Sequence, residues 1–379
     1  MKTVLIVFGG TSTERDISVL TGVMTANCLK SSDYAPVPCY ISASGEWFTG
    51  DELFNVEFFA EPNFKRLKRV TLVAGESVLY ELKRGKLRKF SDITLALNCL
   101  HGAPGEDGSL TGLMNMCKIP IASPPLFAAA LSMDKAVTSS LLKRFGFLVA
   151  DGFKVERREF YENSENVVER ANEIGFPLII KPASNGSSIG ISVAKCRDEL
   201  ISALRSAFLY DEKAVVERYL KGARDINCAA VMLSGGVKVS LADAPETRGE
   251  FFSFADKYIN GEKYRGAVTE NDEKQKISDE VFIEARNLTK QIYELFSFEG
   301  IVRIDYLLSE NKLYVNEINS VPGSLSYYLF PGKMSAFTKL LTDLFDFTLK
   351  KHAPEKTLKR EAEEKLSFKE FKGAKRRKG

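Results

Sequence analysis

The chain has 379 residues, of which 44% are hydrophobic and 27% are charged. This composition is typical of a globular protein with two or three domains. No apolar run approaches the roughly 20 residues of a membrane span, and the N-terminal apolar run is too short for a signal peptide. We therefore expect a cytoplasmic protein without a membrane partner. Six scattered cysteines without a Cys-x-x-Cys pair and only two histidines argue against a disulfide framework and a histidine-based metal site.

The net charge of +3 is distributed unevenly. Residues 355–379 contain ten Lys or Arg and five Glu, so the rest of the chain is close to neutral. A solvated or disordered extension is the expectation for this tail, with nucleic-acid or membrane-surface contact as the less favoured alternative. Nothing in the body of the chain argues for nucleic acid.

The first third of the chain has an α/β pattern. A buried-type strand over residues 3–8 runs into Gly9-Gly10, and Thr11 to Glu14 has the spacing of a helix capping box. An apolar stripe from Ile17 predicts the helix that follows. Further strands are expected at 37–41 and 93–99, with a hairpin around 70–90. A helix that starts after a glycine turn collects anions on its backbone N–H groups.

The strand that ends near Leu100 leads into a loop with glycines at 102, 105 and 108. Such a loop is suited to the close approach of another group. His101 could be structural, as a cap for the helix predicted from Ser109. The alternative is a site, because the loop is expected to flank residues 9–14 at the same sheet edge.

The middle of the chain predicts a helix from Lys135 to about Phe145, a strand near 149–155 and a helix near 163–174. A strand, a loop of small residues over 183–190 and a returning strand follow. This loop could cover phosphates with N–H and hydroxyl donors, although it is not a P-loop; a flexible hairpin tip is the alternative. A strand over 214–220 leads to an expected hinge at Gly222.

The last third predicts strands at 229–233 and 237–241, a loop over 245–270 with a candidate lid at 254–258, and a helix over 277–297. A hairpin over 301–319 and an amphipathic helix over 335–351 complete the chain. The inward face of that last helix is expected to consist of Phe337, Leu340, Leu341, Leu344 and Phe345.

The hairpin carries the most informative residues. If it is centred on Asn311, Asp305 lies opposite Glu317 and Arg303 lies opposite Asn319. Because side chains two apart on a strand share a face, all four project from one side of the sheet. A solvated face is the structural alternative. The functional interpretation is a Mg²⁺ site with oxygen ligands, beside an arginine that neutralises a phosphate or an oxyanion.

In order along the chain, these stretches resemble the D-alanine–D-alanine ligase family of the ATP-grasp superfamily. The resemblance covers roughly residues 3–350. The motifs that carry it are GGTSTERDIS (9–18), LHGAPGEDG (100–108), SMDK (132–135), IIKPASNGSSIG (179–190), VERYLKG (216–222), FADKY (254–258), VRID (302–305) and NEINSVPGS (316–324).

The resemblance implies an α/β (α+β) ATP-grasp fold with three subdomains. These would be a doubly wound N-terminal α/β domain (1–123), a central subdomain (124–222) and a C-terminal subdomain with the metal site (223–352), followed by the basic tail (353–379). It also implies ATP and two Mg²⁺ ions, with Mn²⁺ as a substitute, and a homodimer. The residues implied at ATP are Lys135, Lys181 and Ser188 on the phosphates, Glu217, Tyr219 and Leu220 around adenine, and Asp225 at the ribose.

The other implied roles concern the substrates and the chemistry. Asp305, Glu317 and Asn319 would bind the metals, and Arg303 and the Gly323 N–H would form an oxyanion hole. Glu14 and His101 would orient the ammonium group of the first substrate, with Ser18 as a further substrate-binding residue. Ser187 and Tyr258 would link the phosphate loop to the lid through Glu14, and Lys257 would reach the transferred phosphate or the second carboxylate.

One departure from the family pattern concerns the second substrate. The family usually has a serine five residues after the Pro-Gly glycine to hold the second carboxylate, and here that position is Tyr328. Ser324, Ser326 or the Tyr328 hydroxyl could take this role, or the phenol could select a different acceptor. The expected function is synthesis of D-alanyl-D-alanine for peptidoglycan. The alternatives are a related carboxylate–amine ligase with another acceptor, such as D-lactate or D-serine, and, more remotely, a non-catalytic nucleotide-binding protein.

Overall fold

A computed structural model describes residues 2–186, 189–245, 277–330 and 332–353. The predicted roles of Ser187, Ser188, Lys257 and Tyr258, and the predictions for the tail from residue 354, lie outside the described residues. Within those ranges, no helix combines the length and the apolar character that crossing a membrane requires.

The first sheet has eight strands in the order β6-β5-β4-β3-β2-β1-β7-β8. Strands β2, β1, β7 and β8 are parallel, and β3 to β6 extend the sheet in antiparallel fashion. The expected hairpin around 70–90 is formed by β5 and β6. The strands are β1 (Lys2–Gly9), β2 (Tyr34–Ile41), β3 (Trp47–Thr49), β4 (Lys68–Leu72), β5 (Val78–Lys83), β6 (Lys86–Asp92), β7 (Leu95–Asn98) and β8 (Ile121–Ala122).

Strand β1 is buried on both faces, which explains its continuous apolar run. Ile6 and Phe8 pack on the side of α1 (Arg15–Leu29). Leu5 and Val7 pack on the opposite side, with α2 (Ser109–Met116). Helices therefore cover both faces of the sheet, and the expected doubly wound domain is confirmed.

The predicted capping box at the start of α1 is wrong. The helix begins at Arg15, with Glu14 in the N-cap position and no side-chain capping bond. Ser12 instead accepts a 3.2 Å hydrogen bond from the Glu14 N–H, so residues 11–14 form a turn. This turn places Glu14 immediately before the first residue of the helix rather than within its first turn.

The second sheet is antiparallel, in the order β11-β10-β12-β9. The strand, small-residue loop and returning strand predicted near 178–193 are β10 and β11. Helices α5 to α7 belong to the same unit. The bounds are β9 (Gly152–Glu156), α5 (Arg157–Glu162), α6 (Ser164–Ile174), β10 (Leu178–Pro182), β11 (Ser192–Ala194), α7 (Arg197–Ala207) and β12 (Lys213–Arg218).

The third sheet is also antiparallel, in the order β14-β13-β15-β16. Ala128 of α3 and Leu142 of α4 pack in its core with Ile304. Residues 126–144, expected within the central subdomain, therefore pack against the third sheet. The elements are α3 (Leu126–Met133), α4 (Lys135–Arg144), β13 (Arg224–Leu233), β14 (Gly236–Asp243), α8 (Asp279–Leu295), β15 (Ile301–Ser309) and β16 (Lys312–Asn319).

The C-terminal helix α9 (Met334–Lys351) connects the first and third sheets. Its predicted inward face is buried, and the same cluster contains Ile6 of β1 and Val231 of β13. The ring of Phe345 meets that of Tyr34 edge to face, with centroids 5.1 Å apart. Packing on α9 therefore fixes the first sheet relative to the third, which positions the residues of the site.

Replacement of Phe345 by Ala tests this packing. Phe345 is fully buried, so we expect the Phe345→Ala variant to lose about 3–5 kcal/mol of the free energy of unfolding. Denaturant unfolding measures the loss, and Lys350→Ala, an exposed position on the same helix, is the control. A loss as small as that of the control would contradict the packing role of α9.

Candidate active site

The β15–β16 hairpin brings the predicted quartet together. Asp305 pairs with Glu317, and Arg303 pairs with Asn319, as expected. The turn itself is Glu310-Asn311, with φ of 50° and 57°, which is the positive φ of a type I′ turn. The hairpin is therefore centred half a residue before Asn311.

A β-bulge reconciles this turn with the predicted pairs. The register shifts between Asp305 and Tyr306, because Tyr306 pairs with Val315 while Asp305 pairs with Glu317. Asn316 is the extra residue, and bulges commonly re-aim a side chain next to a site. The predicted pairs are thus correct at the quartet. The predicted centre of the turn was half a residue too late, and the extra residue of the bulge compensates for this difference.

The quartet is not a solvated face, because the side chains of Arg303 and Asp305 are only 14% and 16% exposed. The Arg303 guanidinium donates from Nε to Asp305 Oδ1 at 2.7 Å and from Nη2 to Asp305 Oδ2 at 2.8 Å. Asn319 Nδ2 donates to the same Oδ2 at 2.8 Å. Such a bidentate pair fixes the plane of the guanidinium.

Two lysines face the hairpin from other elements. Asp134 caps α4 by accepting the N–H groups of Ala136 and Val137 at 3.0 and 3.1 Å, and this cap sets the position of Lys135. The Lys135 ammonium lies 2.8 Å from Glu317 Oε1 and donates to the Asn185 carbonyl at 2.6 Å. The helix start, the small-residue loop and the hairpin thus meet at one ammonium group.

Lys181 of β10 has a similar environment. Its ammonium group lies 2.8 Å from Glu217 Oε2 and donates to Asn316 Oδ1 at 2.9 Å. The bulge therefore aims Asn316 at this lysine. Lys181 and Glu217 are 7% and 11% exposed, so their charges are largely removed from water and depend on each other.

The charges around Glu317 keep it ionised. Burial raises the pKa of this carboxyl, but the opposing effects of Lys135, Lys181 and Arg303 leave the pKa below its ordinary value. Asp225 of β13 shows the reverse, because burial and the nearby Asp305 raise the pKa of its carboxyl.

A cleft between the second and third sheets is lined by Lys135, Glu217, Asn316 and Glu317, with apolar walls from Leu142, Val149 and Val315.

The residues predicted around adenine besides Glu217 are Tyr219 and Leu220. Tyr219 and Leu220 directly follow β12, and Tyr219 is 37% exposed. Neither is among the residues that line the cleft in the described part of the chain.

Glu14 lies against two glycine loops. A Cβ at Gly186 would lie 2.7 Å from Glu14 Oε2, and one at Gly102 would lie 3.2 Å from the same oxygen. Only glycine allows the carboxylate so close to both backbones. Residue 14 of the first sheet's domain therefore touches the loop between β10 and β11, at the residue before Ser187.

Ser18 has a supporting position. Its hydroxyl accepts the Gly9 N–H at 2.8 Å and donates to the Cys99 carbonyl at 2.6 Å, which ties the ends of β1 and β7 to α1. The residue is fully buried. Ser18 therefore has a structural role in this arrangement, and its predicted part in substrate binding stays a prediction.

His101 does not cap α2, because Gly108 is the N-cap residue and Asp107 accepts the Ser109 N–H. Its Nε2 lies 2.9 Å from Thr21 Oγ1, and the ring also bonds the backbone of Val321. Burial, with a smaller contribution from Arg303, lowers the pKa of His101 to about 4, against opposing effects of Glu14 and the Val321 bond. The imidazole is neutral at pH 7, and both of its nitrogens already have protein partners.

The segment after β16 has an unusual backbone. Ser324, Leu325 and Ser326 have φ of 51°, 48° and 50°, a region that non-glycine residues rarely adopt. The Tyr328 hydroxyl accepts a hydrogen bond from Arg303 Nη1 at 3.1 Å. The buried Ser326 Oγ has no hydrogen-bond partner among the residues that the structure describes. Of the three residues proposed for the second carboxylate, Tyr328 is thus in contact with Arg303.

Sequence reasoning missed Thr21, Glu106 and Asn316. Glu106 lies in the glycine loop already singled out, so its carboxylate could have been included. Asn316 faces Lys181 only because of the bulge, and Thr21 is one polar residue on a helix. Neither feature can be recognised from the sequence.

Comparison with known proteins decides the family. A profile described as D-ala D-ala ligase N-terminus matches residues 3–124, and one described as D-ala D-ala ligase C-terminus matches residues 141–346. The chain belongs to the D-alanine–D-alanine ligase family. A D-alanine–D-alanine ligase of Thermosipho melanesiensis is 32% identical over 94% of this chain and 96% of its own. One from Caldicellulosiruptor bescii is 30% identical over 94% of this chain and 97% of its own.

Solved structures agree with this assignment. The D-alanine–D-alanine ligase of Helicobacter pylori has a TM-score of 0.73 and 25% identity, and covers 94% of this chain and 100% of its own. The VanG D-Ala:D-Ser ligase of Enterococcus faecalis has the same TM-score and identity, over 92% of this chain and 99% of its own. The expected ATP-grasp fold is confirmed, and the proteins of this family are ATP-dependent ligases.

The donor set of this family member suits Mg²⁺. Asp305, Glu317 and Asn319 present two carboxylates and one amide on a common face, and Mg²⁺ is commonly held by one or two carboxylates together with water and substrate phosphates. No cluster of three or more His, Cys, Asp and Glu side chains occurs in the described ranges.

The Glu317→Gln variant tests this ligand assignment. The amide keeps the size of the side chain but removes the charge that pairs with Lys135 and would face the metal, so we expect ligase turnover to be abolished. Steady-state release of ADP measures the effect. Glu310→Gln, the same change at the exposed hairpin turn, is expected to behave as wild type. A near-normal rate for Glu317→Gln would overturn the assignment.

Proposed function

We propose that this protein joins two D-alanine molecules at the expense of ATP and so supplies D-alanyl-D-alanine for peptidoglycan. One observation carries the proposal: Lys135 and Lys181 both reach the β15–β16 hairpin, at Glu317 and Asn316, and the same hairpin carries the Arg303–Asp305 pair. This is the combination of groups that a phosphate transfer followed by an attack on a carbonyl requires.

The chemistry explains the need for both halves of the site. A carboxylate does not react with an amine, because its oxygen is a poor leaving group. Transfer of the terminal phosphoryl group of ATP to a carboxylate oxygen gives an acyl phosphate and ADP. The amine of the second D-alanine then attacks the carbonyl carbon, a tetrahedral oxyanion forms, and its collapse expels phosphate and leaves the amide.

The two buried lysines bind the phosphates in this proposal. Lys135 and Lys181 are now neutralised by Glu317 and Glu217, and ATP offers phosphate oxygens in place of these carboxylates. Glu217 is then available to accept a hydrogen bond from the adenine amino group, and Asp225 to bind the ribose. Asp305, Glu317 and Asn319 would hold Mg²⁺, which when bound spreads the negative charge of the phosphates.

Arg303 and the Gly323 N–H stabilise the oxyanion. The guanidinium is fixed by Asp305 through two hydrogen bonds, so it needs little reorganisation when negative charge develops beside it. The Glu14 carboxylate pairs with the ammonium group of the first D-alanine, close to the phosphate loop. The roles of Ser187, Ser188, Lys257, Tyr258, Tyr219 and Leu220 stay predictions.

A second candidate differs only in the acceptor. The Tyr328 hydroxyl receives a hydrogen bond from Arg303, so a phenol stands next to the reacting centre, where it could select D-serine, D-lactate or another amino acid. The structural relative VanG is a D-Ala:D-Ser ligase, which supports this alternative within the same chemistry. The non-catalytic alternative is disfavoured, because the paired carboxylates and Arg303 are all in place.

Location and assembly are also proposals. We infer a cytoplasmic protein, supported by the absence of a disulfide among the six cysteines, which are the expected reduced thiols of that compartment. A homodimer stays a prediction from the family. It is supported by Met116 of α2 and Phe127 of α3, which are 66% and 72% exposed.

The direct test supplies the purified protein with ATP, Mg²⁺ and D-alanine. We expect release of ADP together with a product that has the mass of D-alanyl-D-alanine. A parallel series with D-serine, D-lactate and glycine as added acceptors separates the two candidates by product mass. No release of ADP above the background without D-alanine would contradict both.

The role of Tyr328 is tested by removal of its hydroxyl. Loss of a hydrogen bond to a charged group costs about 1.5 kcal/mol or more, so we expect kcat/KM for the acceptor to fall about tenfold in Tyr328→Phe. Tyr314→Phe, on the outer part of the same hairpin, is the matched control. Equal values for both variants would show that the hydroxyl does not contribute.

A further inference from the structure

The loop that follows β16 is held from outside its own domain. We call residues 320–324 the oxyanion loop, because the proposed function, on which this inference rests, uses the Gly323 N–H to stabilise the oxyanion. Three side chains of the first sheet's domain contact it: Glu106, His101 and Thr21. None of these contacts comes from the third sheet that carries Arg303.

Glu106 binds the beginning of the oxyanion loop. Its Oε1 accepts the Val321 N–H at 3.0 Å and lies 3.5 Å from Ser320 Oγ. Its Oε2 accepts the Gly102 N–H at 2.9 Å. The carboxylate thus bridges the glycine loop and the oxyanion loop, and both oxygens face N–H donors. An amide in its place would turn an NH₂ group towards one of those donors.

His101 and Thr21 bind the remainder of the loop. Thr21 Oγ1 accepts the Ser324 N–H at 2.9 Å and lies 2.9 Å from His101 Nε2. The Thr21 hydroxyl donates to the Ile17 carbonyl of its own helix at 3.0 Å. It therefore joins α1, His101 and the oxyanion loop, and Ser324 is its donor from the loop.

The backbone of the loop needs these contacts. Ser324 starts the run of three residues with φ near 50°, which is unfavourable for L residues and persists only where the surroundings enforce it. Glu106 holds position 321 and Thr21 holds position 324, so Gly323 lies between two fixed points. Among the residues that the structure describes, a Cβ on Gly323 would have only Ile17 of α1 within 4 Å, at 3.6 Å.

We propose that Thr21 and Glu106 are positioning residues of the ligase reaction, which set the direction of the Gly323 N–H at the oxyanion. Neither side chain touches a reacting atom. Both are supplied by the N-terminal domain, so that domain completes the oxyanion hole as well as binding the first substrate. Thr21 and Glu106 therefore affect the rate at which the amine attacks the carbonyl carbon, and they do not affect the affinity for the nucleotide.

The test compares three threonine variants. Thr21→Val keeps the shape but removes the hydroxyl, and we expect kcat to fall about tenfold or more. Thr21→Ser restores the hydroxyl and is expected to regain most of the activity. Thr25→Val is the control, because Thr25 is buried one turn further along α1 and its hydroxyl donates to the Thr21 carbonyl within the helix.

Two binding measurements distinguish positioning from general damage. A phosphinate dipeptide, with tetrahedral phosphorus at the attacked carbon, mimics the oxyanion. Its affinity for Thr21→Val is expected to fall by the same factor as kcat/KM, while the affinity for ADP stays within about twofold of wild type. A normal kcat, an unchanged phosphinate affinity or an equal loss of ADP affinity would each overturn the proposal.

Glu106→Gln provides the second variant if Thr21→Val does not fold. The same pattern is expected, with kcat and phosphinate affinity lowered together and ADP affinity retained. Wild-type values for this variant would overturn the proposal. A wild-type protein without turnover would contradict the proposed function itself, whereas an active wild type with an equally active Thr21→Val would contradict only the positioning role.

Discussion

The cleft depends on charges that are buried in opposite pairs. Lys135 with Glu317 and Lys181 with Glu217 each join different elements at 2.8 Å, and all four side chains are largely removed from water. Removing one member of such a pair leaves an uncompensated charge, which costs about 3–5 kcal/mol. A substrate that brings its own negative charge can replace the carboxylate, so in the proposed function these pairs prepare the cleft for a polyphosphate.

In the proposed function, the same exchange prepares the carboxylates for Mg²⁺. Glu317 pairs with Lys135, and Asp305 pairs with Arg303, so each carboxylate is half of a local charge balance. Phosphate oxygens that draw Lys135 away remove the closest positive charge from Glu317, while Lys181 and Arg303 remain near it. In the proposed function, nucleotide binding and metal binding are therefore coupled through this ion pair, and each favours the other.

In the proposed function, the N-terminal domain does more than bind the first substrate. Glu14 lies against the loop between β10 and β11 at Gly186, while Glu106 and Thr21 reach the loop that contains Gly323. Helix α9 fixes the first and third sheets relative to each other through Phe345 and its neighbours. Loops with little structure of their own are thereby held between rigid elements, as a preorganised site requires.

Much of this arrangement follows from the sequence. The apolar run of β1, the inward face of α9 and the pairing of Asp305 with Glu317 depend on local periodicity, and all three are correct. The bulge at Asn316 was not predictable. A hairpin centred on Asn311 without a bulge, and the observed hairpin centred half a residue earlier with one, give the same pairs at the quartet. The capping box failed because Ser12 closes a turn before the helix. Thr21 and Ser18 are polar residues on one buried helix face, and only tertiary contacts separate their roles.

The most direct test of the account is a diffraction experiment on crystals grown with ADP and Mn²⁺, with anomalous scattering used to locate the metal. The account predicts a Mn²⁺ peak next to Asp305, Glu317 and Asn319, with the Lys135 ammonium moved from Glu317 to a phosphate oxygen. A peak elsewhere, or a nucleotide bound while Lys135 remains on Glu317, would contradict the exchange of partners on which the site depends.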